Sequence, residues 1–197
     1  LSRENTLVGA CHMDTVPKAP PGRMMIAYAD ERDIWEKAWK TKLSTTEGVD
    51  LLHMIEKAEK GRLKAIYIMG ENPLRSLPQP ERLARAFDNL EFIVAQDILM
   101  NETVNVADVV LPGAAFSEKA GSFTNMEGRI QCFAAAVPPP GKAKTDLEIL
   151  GRIADNMGAP GYKATHEDIR KEISATISVF SETVACKHPI WIRDIGQ

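Results

Sequence analysis

Two short polar stretches interrupt the apolar middle of this chain, Gly70-Glu71-Asn72-Pro73 and Gln96-Asp97, and each directly follows a run of branched apolar residues. In open parallel sheets, ligands bind outside the carboxyl ends of the strands, so these residue types stand where a phosphate-bearing ligand is held. Glycine at 70 lets a phosphate or a ring approach the backbone, whose N–H groups can donate to phosphate oxygens. An aspartate at 97 can accept from a ribose diol or from the N1–H and N2–H2 edge of guanine. The same residues also compose a good turn, and Asp97 can equally cap the segment that follows it. A third stretch, 112–131, sets Glu118, Lys119, Asn125, Glu127 and Arg129 around glycines, which suits a site wall or a solvated loop alike. Neither GxGxxG nor GxxxxGK[ST] occurs. His12, His53, His166 and His188 have no metal-ligand spacing and no serine sits in a nucleophile elbow, so no catalytic or metal-binding residue is assigned.

The elements that must position these residues follow from periodicity. The spacing predicts helices over Asp30–Lys40, with Ile34, Trp35, Ala38 and Trp39 on one face, and over Thr46–Lys60, capped by Thr45 or Thr46 and stopped at Gly61. In the second helix Leu51, Leu52, Ile55 and Ala58 should face inward, and His53 should lie at the surface. Strands are expected at Leu63–Met69, Glu91–Ala95 and Ala107–Leu111, with a helix at about Gln79–Asn89 between the first two. Strand, helix, strand, short connection, strand is the grammar of a parallel sheet flanked by helices, an α/β fold. Past Pro112 the chain reads as irregular and glycine-rich through Arg129, then as a proline linker at 137–142, with helices at Asp146–Met157 and His166–Phe180. Residues 14–23 read as a turn-rich loop, and 182–197 give no reading.

Composition narrows the classes. Hydrophobic residues at 44% and charged residues at 26% suit one substantial globular domain rather than disorder. The net charge of −3, with basic residues scattered, offers nucleic acid or an anionic membrane no surface. No apolar run approaches the ~20 residues of a membrane span. Cys11, Cys132 and Cys186 are far apart and odd in number, so three lone thiols are expected, consistent with a cytoplasmic setting. Leu1 is not a start methionine, and residues 1–11 lack the basic and apolar regions of a signal peptide.

From Gly61 to Gly158 the chain resembles the molybdopterin oxidoreductase family, and within it the formate dehydrogenase alpha subunit. The resemblance runs through AIYIMGENP (65–73), FIVAQDILMNETVNVADVVLP (92–112), SEKAGSFTNMEGRIQ (117–131) and KTDLEILGRIADNMG (144–158), in the family's order and spacing. GACHMDTVP (9–17) is similar to a further family segment but departs from it at His12 and Asp14. The resemblance implies that Gly70, Glu71 and Asn72 lie against the pyrophosphate or ribose of a molybdopterin guanine dinucleotide carrying molybdenum or tungsten. It implies that Gln96 and Asp97 hold the nucleotide at the second strand end, that Lys119 reaches a phosphate and that Asp146 bonds the guanine edge.

It implies further that the iron–sulfur cysteines, the metal's own ligand, the substrate-handling histidine and arginine and a closing β-barrel lie outside the matched region. The partners it implies are the remaining domains of the parent subunit and electron-transferring iron–sulfur subunits, with no nucleic acid and no membrane insertion. Residues 24–160 would form the dinucleotide-binding domain, 1–23 an incomplete N-terminal part, and 161–197 a C-terminal helix and tail. A cofactor-free scaffold, as in the large iron–sulfur subunit of NADH–quinone oxidoreductase, and another family enzyme such as nitrate reductase or formylmethanofuran dehydrogenase are the alternatives.

Overall fold

Three apolar runs that each end at a polar or turn-forming residue pair side by side in the computed structural model. Strands β1 (Ala65–Met69), β2 (Phe92–Asp97) and β3 (Val109–Pro112) form a parallel sheet in the order β1-β2-β3. The structure describes residues 7–13, 17, 19–22, 24–159, 165–177, 180 and 190–191. Asp14, Cys186, His188 and parts of the 14–23 loop and the 182–197 tail lie outside them. The described helices are α1 (Leu7–His12), α2 (Ala29–Trp39), α3 (Leu51–Glu59), α4 (Pro73–Ser76), α5 (Pro80–Phe87), α6 (Glu102–Asn105), α7 (Asp146–Asn156) and α8 (His166–Thr176). A second, antiparallel sheet has the order β4 (Gly121–Thr124), β5 (Arg129–Phe133), β6 (Ile190–Trp191). Contacts gather the chain into two units: Asp50–Lys119 with Ala135–Lys163, and Leu1–Val49 with Ala120–Ala134 and Ala164–Gln197.

The first unit is built by strand alternation. Ile66 pairs with Ile93 and Ile68 with Ala95, so these four side chains share one face of the sheet. Ile68 and Ile93 meet Ile55 and Ala58 of α3 and Leu83, Ala86 and Phe87 of α5 in a single buried cluster. Each large side chain so buried stabilises the fold by about 1.5–3 kcal/mol. The opposite face carries Tyr67, Val94 and Val109 in one row and Met69, Gln96 and Leu111 in the next. Helix α7 begins against Gln96 on that face, and a groove of about 430 Å³ runs beside it, lined by Leu111, Ile149, Ile153 and Met157 among others.

The other unit packs Trp35 of α2 with Ile130, Ile177 and Phe180. The Trp35 indole N–H donates to the Pro21 carbonyl at 3.1 Å, and that of Trp39 to Glu172 of α8 at 2.8 Å. The β4–β5 ladder needs a glycine at 121, where a Cβ would come within 2.8 Å of the Phe133 ring.

Several expectations are corrected. Helix α3 starts at Leu51 rather than Thr46, because Asp50 accepts from the His53 backbone N–H at 3.0 Å and makes the cap itself. Upstream, Gly48 is held in a turn by its N–H bond to the Pro17 carbonyl at 2.7 Å. Leu51 and Leu52 are therefore first-turn residues at the surface, and only Ile55 and Ala58 are buried. In α2 only Trp35 of the expected apolar face is buried. Strand β2 extends through Gln96 and Asp97, which pair with Met69 and Pro112 instead of lying past the strand. The glycine-rich stretch after Pro112 is regular: a 3-10 turn at Phe116–Glu118, then the β4–β5 hairpin. Helix α8 ends at Thr176, four residues early. Cys132 is disulfide-bonded, against the expectation of three lone thiols, whereas Cys11 is free. Sequence spacing identifies close cysteine motifs and is silent on cysteines joined by tertiary pairing.

Candidate nucleotide-binding site

The carboxyl ends of β1 and β2 meet the amino end of α7 in one polar cluster. Gly70 turns the chain out of β1 with φ +65°, and its N–H donates to the Gln96 carbonyl at 2.8 Å. A Cβ built at Gly70 would meet nothing within 4 Å, so the backbone there is open to a ligand. The Gln96 side chain, 2% exposed, donates from Nε2 to Asp146 Oδ1 at 2.6 Å and accepts at Oε1 from the Tyr67 hydroxyl. Asp146 opens α7, whose cap is Thr145 accepting from the Glu148 N–H at 3.3 Å. Its second oxygen, Oδ2, accepts from the Lys119 ammonium. Lys119 is placed by the preceding 3-10 turn, whose Glu118 carboxylate receives the Ala115 N–H at 2.9 Å. Burial pushes the Tyr67 phenol above its ordinary value of 10.0, and the negative charge of Asp146 adds to the rise.

The remaining expected residues build the loops around this cluster. Glu71 accepts from the Asn72 N–H and from the Ser76 hydroxyl, at 3.0 and 2.7 Å, and so holds α4 in place. Asn72 ties that loop to α6: its Oδ1 accepts from the buried Thr103 hydroxyl at 2.7 Å, and its Nδ2 donates to Glu102 at 2.7 Å. The Asp97 carboxylate accepts from the N–H groups of Ile98 and Leu99 at 2.6 and 3.4 Å and from the Asn101 amide at 2.8 Å. The structure therefore joins Gln96, Lys119 and Asp146 directly, sets Gly70 open beside Gln96, and turns Glu71, Asn72 and Asp97 into loop contacts. Asn125, Glu127 and Arg129, grouped with them by sequence, belong to the β4–β5 hairpin of the other unit.

Sequence reasoning missed Tyr67. Inside an apolar strand run it reads as core, and only its place on the same sheet face as Gln96, one row away, could have raised it. Among the described residues, no group of His, Cys, Asp and Glu is arranged to hold a metal ion, and no helix is long and apolar enough to cross a membrane.

An open parallel sheet with helices packed on it and donors and acceptors gathered at its carboxyl ends makes this an α/β domain, the class in which ligands bind at that edge. Comparison with known proteins is more specific: the chain belongs to the molybdopterin oxidoreductase family, whose model matches residues 4–156. It is 40% identical over 176 residues to the F420-dependent formate dehydrogenase subunit alpha of Methanocaldococcus jannaschii, covering 88% of this chain and 26% of that protein. Formate dehydrogenase H of Escherichia coli is 34% identical over 171 residues, covering 86% of this chain and 24% of that one. An NADH-quinone oxidoreductase subunit of Rhizobium meliloti is 33% identical over 173 residues, covering 88% of this chain and 20% of that one. The chain thus spans about a quarter of the formate dehydrogenases it matches. Acetylene hydratase from Pelobacter acetylenicus superposes over 72% of this chain and 21% of its own, with a TM-score of 0.55 at 18% identity, and shares the fold. The family is one of oxidoreductases and implies a molybdopterin cofactor.

Proposed function

We propose that the unit formed by residues 50–119 and 135–163 holds the guanosine end of a molybdopterin guanine dinucleotide. The observation that carries this reading is the state of the two carboxylates. A carboxylate offers about four accepting positions. Asp97 has three filled by its own loop. Asp146 has one filled on each oxygen, which leaves one on each for the adjacent N1–H and N2–H2 of guanine. Asp146 is therefore the base acceptor, and Asp97 retains a single position for a ribose hydroxyl. Gly70, with no side chain and an open approach, suits the pyrophosphate, and Lys119 supplies the cation a phosphate needs. Glu71 and Asn72 shape the turn that presents Gly70, and Gln96 supports Asp146. The domain boundaries read from the sequence, 24–160 with flanks 1–23 and 161–197, belong to this proposal.

The parent protein is proposed to be a molybdenum- or tungsten-dependent formate dehydrogenase, with formate's two electrons passing to an iron–sulfur centre. Its partners would be the other domains of the same subunit and iron–sulfur electron-transfer subunits. The cofactor supplies the redox chemistry, while this chain's residues bind and orient its nucleotide tail. A cytoplasmic setting is proposed from the sequence reading alone, and the Cys132 disulfide removes the lone-thiol argument for it. Thiol titration in freshly lysed cells tests it, and a disulfide at Cys132 that survives lysis would point to an oxidising compartment instead.

Titration with GDP tests the site. A ligand that binds only the folded state raises the melting temperature, by an amount equivalent to about 2.7 kcal/mol at one hundred times Kd. GDP should do so in the unaltered chain, and Asp146→Ala should abolish the shift. An unaltered chain whose melting temperature ignores GDP would sink the reading.

A further inference from the structure

The feature that the guanosine reading does not use is the phenol of Tyr67. A primary amide can present either of two nearly isosteric ends, and only its N–H end bonds favourably to a carboxylate. Gln96 is buried between two partners, the Asp146 carboxylate and the Tyr67 hydroxyl, and has almost no access to water. Asp146 can only accept, so the amide N–H must face it. Oε1 must then face Tyr67, which can satisfy it because a phenol donates. The chain Tyr67–Gln96–Asp146 therefore has one self-consistent direction of donation. It fixes Oδ1 of Asp146 through a buried group, while Lys119 occupies Oδ2 from the more exposed side.

We propose that Tyr67, acting through Gln96, is a positioning residue that holds Asp146 as a two-acceptor edge and so sets the preference for guanine over adenine. The inference rests on the nucleotide reading above. Guanine presents two adjacent donors, N1–H and N2–H2, and needs both carboxylate oxygens in one plane at fixed spacing. Adenine presents an acceptor at N1 beside the N6 donor, and a carboxylate held in that plane repels it. Without the Tyr67 donor, Oε1 of Gln96 is left unsatisfied in a buried place, and its amide turns to find another partner. Asp146 is then freed to rotate about its own side chain, and the discrimination between the two bases is lost.

Calorimetric titration of the full chain with GDP and with ADP tests this. Tyr67→Phe keeps the ring and removes only the donor. It should narrow the GDP-to-ADP affinity ratio roughly tenfold, the factor that ~1.4 kcal/mol produces, by weakening GDP and no longer repelling ADP. A role confined to packing would lower the melting temperature and leave the GDP-to-ADP ratio alone. Gln96→Glu, which sets a carboxylate against Asp146 with Tyr67 intact, should erase the same preference. A second readout needs no ligand. The two side-chain N–H protons of Gln96 should be protected from solvent exchange in the unaltered chain and lose that protection in Tyr67→Phe, with the backbone amides of β1 and β2 unmoved. Retention of the GDP preference, or of Gln96 protection, in Tyr67→Phe overturns the positioning role and leaves the nucleotide site standing. An unaltered chain that binds neither nucleotide defeats the nucleotide reading, and this inference with it.

Discussion

Asn72 illustrates how a polar residue at a strand end can be committed to architecture. Its Oδ1 receives the hydroxyl of Thr103, a fully buried residue, and its Nδ2 reaches Glu102, so one side chain fastens the loop after β1 to helix α6. Asn72→Ala should leave the Thr103 hydroxyl buried without its acceptor. The expected cost is ~1–3 kcal/mol in urea unfolding, and a change within error would show that water replaces the bond. The pH dependence follows from the other end of the amide. The Asn72 bond holds the Glu102 carboxyl below its ordinary value of 4.5. Its folded value is the lower one, so this contribution to stability is present above pH 4.5 and is lost as pH falls through the lowered value. Asn72→Ala should flatten that part of the acid limb. At this scale the sequence was a fair guide to which residues matter and a poor one to what they touch. Gly70 and Gln96 could be chosen from their position after apolar runs. The commitment of Asp97 to its own loop could not, because a turn aspartate and a ligand aspartate have the same sequence surroundings. Tyr67 was hidden for a different reason: its partner stands 29 residues away on another strand.

Elements were legible wherever an apolar run ended at a strong terminator. β1 stops at Gly70 and α7 starts after Thr145, as their residues dictate. Boundaries failed where several capping residues competed. The stretch Ser44–Asp50 holds several residues able to cap a helix, and tertiary contact at Gly48 decided for Asp50. That decision assigns the side chains of α3 to different environments and can be tested there. Ile55 lies in the cluster with Ile68, Leu83 and Phe87, whereas Leu52 is 63% exposed. Ile55→Ala should destabilise the fold by ~2–5 kcal/mol through lost burial and a cavity. Leu52→Ala should change it by less than ~0.5 kcal/mol, as surface substitutions do. Equal losses in chemical denaturation would restore the longer helix that the periodicity predicts. The β4–β5 hairpin went unread because its strands are four and five residues long and are broken up by glycines and polar residues.

The parallel sheet could be read as a whole because its strands, and the helices between them, follow one another in sequence. The other unit could not, because it is assembled from three separated segments. Its sheet joins Arg129 to Trp191, and its helices join Trp39 to Glu172, pairings that no local pattern encodes. This division makes the nucleotide reading spatially specific. The candidate residues Gly70, Gln96, Lys119 and Asp146 all fall in one unit. A bound nucleotide suppresses local opening mainly where its contacts are made. Saturating GDP should therefore slow backbone amide exchange around residues 68–72, 96–101, 117–119 and 145–149. Exchange in α2 and in the β4–β5 hairpin should stay at its ligand-free rate. Both regions contain stable hydrogen-bonded elements, so slow and fast amides are available in each for the comparison. Protection confined to the β4–β5 hairpin, or spread evenly over both units, would move the site away from the strand ends. Protection at the four predicted segments, lost together in Asp146→Ala, would place the guanosine against α7.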